Sequence, residues 1–297
     1  MAQNKPKNKL LIAWSIDFDA ISGWLGTGQH HSNSTADYSS GYFSAHVGVP
    51  RLLKLFQKLQ IADKVTWCIP GHSIETFPSQ TKAIVESGAE IALHGYAHES
   101  ASQMTAEQER DVLVKYMDLV EGLTGTRVKG YRAPLYQLKE RNISLLQEHD
   151  FLWDSSLSHH DSATYFLPKD PAPIDPIDFN PETKAEQWMH PTPDFASLPK
   201  SNLVEIPCNW YMEDMTPLQF FPNTPNSAGY EIEEGREDLV VYSIVVHPDT
   251  SGMAHVVGMV ERFLMWVLDH GEDVAEFRTC GSIAKEFRER EQGREGR

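Results

Sequence analysis

The chain has 297 residues, and 42 acidic against 26 basic side chains leave it with a net charge of −16. Hydrophobic residues at 40% and charged residues at 23% fit a globular core and exclude disordered, collagen-like and coiled-coil readings. An acidic surface of this kind repels a phosphate backbone, so nucleic acid is not an expected partner; no apolar run approaches the roughly 18 residues of a membrane span, so no membrane partner is expected either.

Residues 9–15 form an apolar run bounded by polar residues, the pattern of a strand buried on both faces. That run is too short for a secretory signal, which leads to an expected location in the cytoplasm, or outside the cell by a non-classical route. A Gly- and Ser-rich stretch over 22–41 reads as a long loop, and a helix is expected from Val49, with Pro50 in its first turn. The alternation then continues with strand 64–69, helix 80–87, strand 90–93 and a longer helix over 105–122 capped by Thr105. Strands are expected at 127–132 and 151–155, on either side of a helix over 140–149. Between 168 and 199 the composition turns to Pro, Asp and Asn, which predicts an excursion over the rim. Strands at 203–207, 239–247 and 274–277, a helix from about 256 to 270 and a last helix complete the pattern, with a charged tail over 288–297 expected to fray. Repeated β-α units predict an α/β fold with a parallel barrel or wound sheet, in a single domain over residues 1–297.

In such folds, chemistry collects at the C-terminal ends of the strands. His94 and His98 follow an expected strand, and their i, i+4 spacing would bring two imidazoles onto one face of a helical turn. Asp17 and Asp19 end the first strand and, two residues apart in extended chain, point to the same side. Zinc held by two neutral imidazoles and a carboxylate keeps a position for water, which points to hydrolysis. Arg132 and His247 each stand where an apolar run stops; a guanidinium there suits holding a carboxylate, and an imidazole suits delivering a proton to a leaving amine. Trp24, Tyr136 and Trp210 lie near the expected mouth, where aromatic rings either stack on sugars or pack in the core. The segment 209–214 either brings Asp214 to the site or leaves it as an exposed loop acid. Cys68, Cys208 and Cys280 are widely spaced and lack a C-x-x-C pair, so they read as reduced thiols.

Taken in order, Asp17-Phe18-Asp19, the His94/His98 pair, Arg132-Ala133-Pro134, Trp153-Asp154 and Val245-Val246-His247 resemble the five motifs of the polysaccharide deacetylases, the carbohydrate esterases that share the NodB homology domain. The resemblance runs from about residue 9 to 287. It implies a distorted (β/α) barrel and a divalent metal, zinc with cobalt as an alternative, held by Asp19, His94 and His98. It further implies Asp17 as the base, Arg132 as the group orienting it, and His247 as an acid supported by Asp154, with a backbone N–H near Tyr136 stabilising the oxyanion. This chain has Asp-Phe-Asp followed by Ala20 where the family has two adjacent aspartates followed by Gly, which leaves open which aspartate is the base. That form is more like a divergent branch containing peptidoglycan-deacetylase-like and fungal members and relatives of allantoinases. Its members form homo-oligomers, often tetramers, so a tetramer or dimer is expected here. The implied reaction is removal of N-acetyl groups from N-acetylglucosamine oligomers by water activated on the metal, with chitin oligomers favoured over peptidoglycan. Hydrolysis of a small cyclic amide, and sugar binding without catalysis, are the competing readings.

Overall fold

The computed structural model describes residues 9–26, 34–172, 174, 177–208, 210, 212–215, 239–271 and 274–295. Strand β1 (Leu10–Asp17) is buried along nearly all its length because it has strands on both edges. On one edge runs β8 (Val241–Val246); on the other, β2 (Thr66–Ile69) takes the upper half of β1 and β9 (Ala275–Phe277) the lower half. From β2 the parallel sheet continues through β3 (Glu90–Leu93), β4 (Gly130–Tyr131), β5 (Trp153–Asp154) and β7 (Lys200–Glu205), and β6 (Tyr165–Pro168) adds antiparallel to β7 at the margin. An antiparallel bridge between Ala163 and Val240 ties the two ends of the sheet, so the curled sheet is a distorted, partly open barrel.

Helices cover the outside of this sheet. Helix α3 (Val49–Lys58) buries Val49, Leu52, Leu53, Leu55 and Phe56 on one face, the spacing of an amphipathic helix. Helices α4 (Gly71–Thr76), α5 (Pro78–Glu86), α6 (Ala106–Thr124), α7 (Glu140–Glu148), α8 (Val257–Gly271) and α9 (Cys280–Glu295) follow their strands in the right order for β-α units. Thr105 and Gln108 form a reciprocal capping box at the start of α6, and Gly125 ends it in the left-handed conformation at φ 70°. No helix among the described residues is long and apolar enough to cross a membrane.

Three local expectations change. The Gly- and Ser-rich stretch is not all loop: α1 (Ser22–Leu25) and α2 (Thr35–Phe43) lie in it, the second started by a box between Ser34 and Asp37, while residues 27–33 are outside those described. The charged tail is helical as far as Glu295, where α9 ends; Arg290 pairs with Glu286 at 2.6 Å and Arg294 with Glu291 at 2.7 Å, helical spacings that favour the helix. Strand β6 was not expected, because it enters the sheet only by pairing with a strand more than thirty residues later.

Gly130 is needed where β4 passes the buried indole of Trp153. A Cβ at that position would lie 2.1 Å from Trp153 Cζ2. Gly130→Ala is therefore expected to destabilise the chain by about 1–3 kcal/mol, read as a lower urea midpoint at unchanged slope.

Candidate active site

The C-terminal ends of β1, β3, β4 and β8 open on one mouth, and the residues that follow them supply the site. Asp17 is the last residue of β1; Phe18 turns into the core against Trp67 and Phe77, so Asp19 comes back to the side that Asp17 faces. After β3 the chain does not form the helical turn that the His-x-x-x-His spacing predicts. Gly95 and His98 both take left-handed backbone, at φ 66° and 61°, and Glu99 accepts the N–H groups of Tyr96 at 2.8 Å and Ala97 at 2.5 Å. This tight loop, rather than a helix face, sets the His94 and His98 rings 5.1 Å apart between centroids.

His94 donates from Nδ1 to the Arg132 carbonyl at 2.9 Å, which leaves its Nε2 lone pair facing Asp19 Oδ1 at 3.4 Å. His98 Nε2 lies 3.5 Å from Asp19 Oδ2. One ligand atom from each of Asp19, His94 and His98 falls within 4.8 Å of the others. Asp19 Oδ1 is buried and accepts no hydrogen bond, an oxygen that would otherwise be costly to bury. Two imidazoles, one of them oriented by a carbonyl, and an orphaned carboxylate oxygen fit a divalent metal ion. Burial pushes both rings towards the neutral form that ligation needs, His94 below its ordinary value and His98 down to about 4. It also raises the Asp19 carboxyl, with His94 and His247 pulling only partly the other way.

Asp17 has the opposite environment. Arg132, fully buried, donates from Nη1 to Asp17 Oδ1 at 2.6 Å, from Nη2 to Ser15 Oγ at 2.9 Å and Ser155 Oγ at 3.1 Å, and from Nε to the Ser155 carbonyl at 3.1 Å. Burial alone would raise the Asp17 carboxyl, but Arg132, with His94 and His247 behind it, holds it below the ordinary value. The Cys68 thiol also hydrogen-bonds Asp17, and burial keeps that thiol protonated.

His247 follows β8 and turns Nε2 to within 3.9 Å of Asp19 Oδ2. Its supporting carboxylate is Asp214, not Asp154. Asp214 Oδ1 accepts from His247 Nδ1 at 2.8 Å, and its Oδ2 accepts the His247 N–H at 2.9 Å and the Ser251 hydroxyl at 2.6 Å. Burial would lower the imidazole, but the bond and charge of Asp214, joined by Asp19 and Asp17, drive it well above its ordinary value. Asp214 is placed by a parallel bridge between Glu213 and Val245, which lays an irregular segment along β8. Asp154 instead accepts from Ser156 and sits beside Glu205.

Tyr136 and Trp210 meet edge to face, 5.1 Å apart, and the Tyr136 hydroxyl donates to Glu213 at 3.2 Å. Trp210 is 44% exposed, whereas Trp24 is half-buried on α1. The Tyr136 N–H already donates to the Ala133 carbonyl at 3.0 Å, so it is not a spare oxyanion donor. Spacing gave no signal for Ser15, Ser155 or Cys68, which are ordinary strand and turn residues until the fold brings them to Asp17 and Arg132.

Residues 31–152 match the family described as polysaccharide deacetylase. The chain is similar to a peptidoglycan deacetylase-like protein of Gibberella zeae, 48% identical over 95% of this chain and 87% of that one. It is also similar to a peptidoglycan deacetylase of Helicobacter pylori, 38% identical over 95% of this chain and 97% of that one. Among solved structures, a protein of Mycobacterium smegmatis described as a polysaccharide deacetylase superposes with a TM-score of 0.73 at 22% identity, covering 98% of this chain and 94% of that one, which shows the shared barrel-like fold.

His94→Ala removes one candidate ligand and leaves the Asp19 oxygen still unpaired. Titration calorimetry with Zn2+ is expected to show at least ~100-fold weaker binding than the unsubstituted chain; undiminished affinity would place the metal elsewhere.

Proposed function

The chain belongs to the polysaccharide deacetylase family, and from that premise we propose that it removes N-acetyl groups from N-acetylglucosamine oligomers in a metal-dependent reaction. The observation that carries this reading is the meeting, at one strand-end mouth, of a carboxylate held by Arg132, an imidazole held by Asp214, and an Asp-His-His set suited to a cation.

Zinc, or cobalt in its place, when held by Asp19, His94 and His98, would polarise the acetamide carbonyl and make water more acidic. Asp17 accepts the proton of the attacking water; Arg132 keeps its carboxylate ionised and fixes the oxygen that faces the site. His247, charged and fixed through Nδ1 by Asp214, hands the Nε2 proton to the departing nitrogen, and acetate and a free amino sugar leave. Trp210 and Tyr136 offer ring faces and edges to the sugar, with Trp24 of α1 a further candidate contact. The net charge of −16 supports neutral chitin oligomers over carboxylate-bearing peptidoglycan, although the names of the two relatives point to the latter. Self-association belongs to the same reading. Met259, Phe263 and Trp266 stand exposed on α8, the last at 60%, an apolar stripe that a second copy would cover.

Mass spectrometry of zinc-loaded protein with chitin oligosaccharides, and in parallel with peptidoglycan fragments, tests the proposal. Stepwise loss of acetyl groups, stopped by a chelator, is the expected outcome, with the chitin series turned over faster. Asp17→Asn and Asp214→Asn should each lower kcat by about 10²–10⁴-fold. Intact saccharides in both series, from protein that holds zinc, would overturn the reading and direct the search to small cyclic amides.

A further inference from the structure

Asp154 and Glu205 stand at partner positions on the neighbouring parallel strands β5 and β7, and both are fully buried. Their hydrogen bonds fix which oxygens accept. The Ser156 hydroxyl accepts the Ala133 N–H at 2.8 Å and so gives its own proton to Asp154 Oδ1, also at 2.8 Å. Glu205 Oε1 accepts two backbone N–H groups, from Ser156 at 2.9 Å and Leu157 at 2.8 Å. That leaves Asp154 Oδ2 and Glu205 Oε2, both buried with no donor from elsewhere, while the two carboxyl groups lie within hydrogen-bonding reach of each other. Two adjacent carboxyl groups cut off from water do not both ionise.

We propose that Asp154 and Glu205 share one proton at neutral pH, and that this acid pair is a clamp that positions Arg132 and, through it, Asp17. The link is short. Ser155 holds the guanidinium through both its carbonyl and its hydroxyl, and it lies between Asp154 and Ser156, the two residues the pair ties down. The Ala133 N–H bonded to Ser156 fixes the residue after Arg132 as well. In keeping with a retained proton, burial pushes Asp154 up to about 6 and Glu205 well above the ordinary carboxyl value, despite the bonds each accepts. Glu205 and Asp154 are thus positioning residues. The positioning half of the proposal rests on the reading of Asp17 as proton acceptor in deacetylation; the shared proton does not.

A shared proton has a distinctive mutational signature. In Glu205→Gln the amide oxygen still accepts the two N–H groups while the amide nitrogen donates to Asp154; Asp154→Asn works the same way in reverse. Each single variant is expected to keep its melting temperature and to stay within about threefold of wild-type kcat/KM. Combining the two sets one NH2 group against the other, so the double variant should melt several degrees lower and lose at least ~10-fold in kcat, with KM little changed. Glu205→Leu, which leaves Asp154 without its partner, should resemble the double variant. Infrared difference spectra of wild type minus Glu205→Gln at pH 7 should show the carbonyl band of a protonated carboxyl group. The NMR resonance of Arg132 Nε–H should hold its position in both single variants and move in the double.

Absence of the acid band, or a double variant as stable as the singles, would overturn the shared proton. An unmoved Arg132 resonance in the double variant would overturn the clamp. If the wild type deacetylates nothing, the function proposed above fails, while the infrared, melting and NMR results still decide this proposal.

Discussion

A guanidinium with no exposure to water is the constraint around which the site is built. Removing a cation from water costs several kcal/mol unless nearly every donor finds a partner and an opposite charge stands beside it. Arg132 meets both conditions, with four hydrogen bonds reaching Asp17, Ser15 and Ser155. Those partners come from the end of β1 and the turn after β5, and Arg132 itself follows β4. Three strand ends must therefore stop at matching heights for the charge to be satisfied. A carboxylate gripped in this way has lost the freedom to rotate, and it keeps its charge in a place where burial would otherwise neutralise it.

Environment gives two pairs of like residues opposite tendencies to hold a proton. Asp17 and Asp19 are two positions apart and share the same buried mouth, yet Arg132 holds one ionised while burial raises the other towards its protonated form. Among the imidazoles, burial drives His98 down to about 4, whereas the hydrogen bond and charge of Asp214 lift His247 well above its ordinary value. A neutral ring suits ligation and a charged ring suits proton donation, so opposite shifts within a few ångströms fit the two kinds of work that the proposed reaction needs. Metal binding would add to this division, because a cation beside Asp19 favours the carboxylate that burial alone disfavours.

Much of this arrangement was legible in the sequence, and the part that was not has a common cause. Alternating apolar runs and amphipathic stretches marked the β-α order, and strand ends marked Asp17, Asp19, His94, Arg132 and His247, because each follows a local run with its own period. Features fixed by contact at long range were not visible. The His94/His98 spacing suggested a helix, but Gly95 and His98 in left-handed backbone close a loop instead. Asp214 lies in a segment with no period, placed by its bridge to β8. Asp154, read by resemblance as the partner of His247, meets Glu205 because β5 and β7 pair in that register, a fact that no property of 153–154 alone encodes.

Arg132 also acts through its backbone. Its side chain orients Asp17, and its carbonyl, by accepting from His94 Nδ1, decides that Nε2 is the nitrogen offered to Asp19 and a metal. The proposed proton acceptor and one candidate ligand are thus set by two ends of one residue, and a displacement of that residue would disturb both at once. Side chain and carbonyl are separately tied, the first to Ser155 and the second to His94, while the N–H of that same peptide group, on Ala133, donates to Ser156. Such over-determination at a single position is how a short two-residue strand, with little pairing of its own, holds the groups of the candidate site in register.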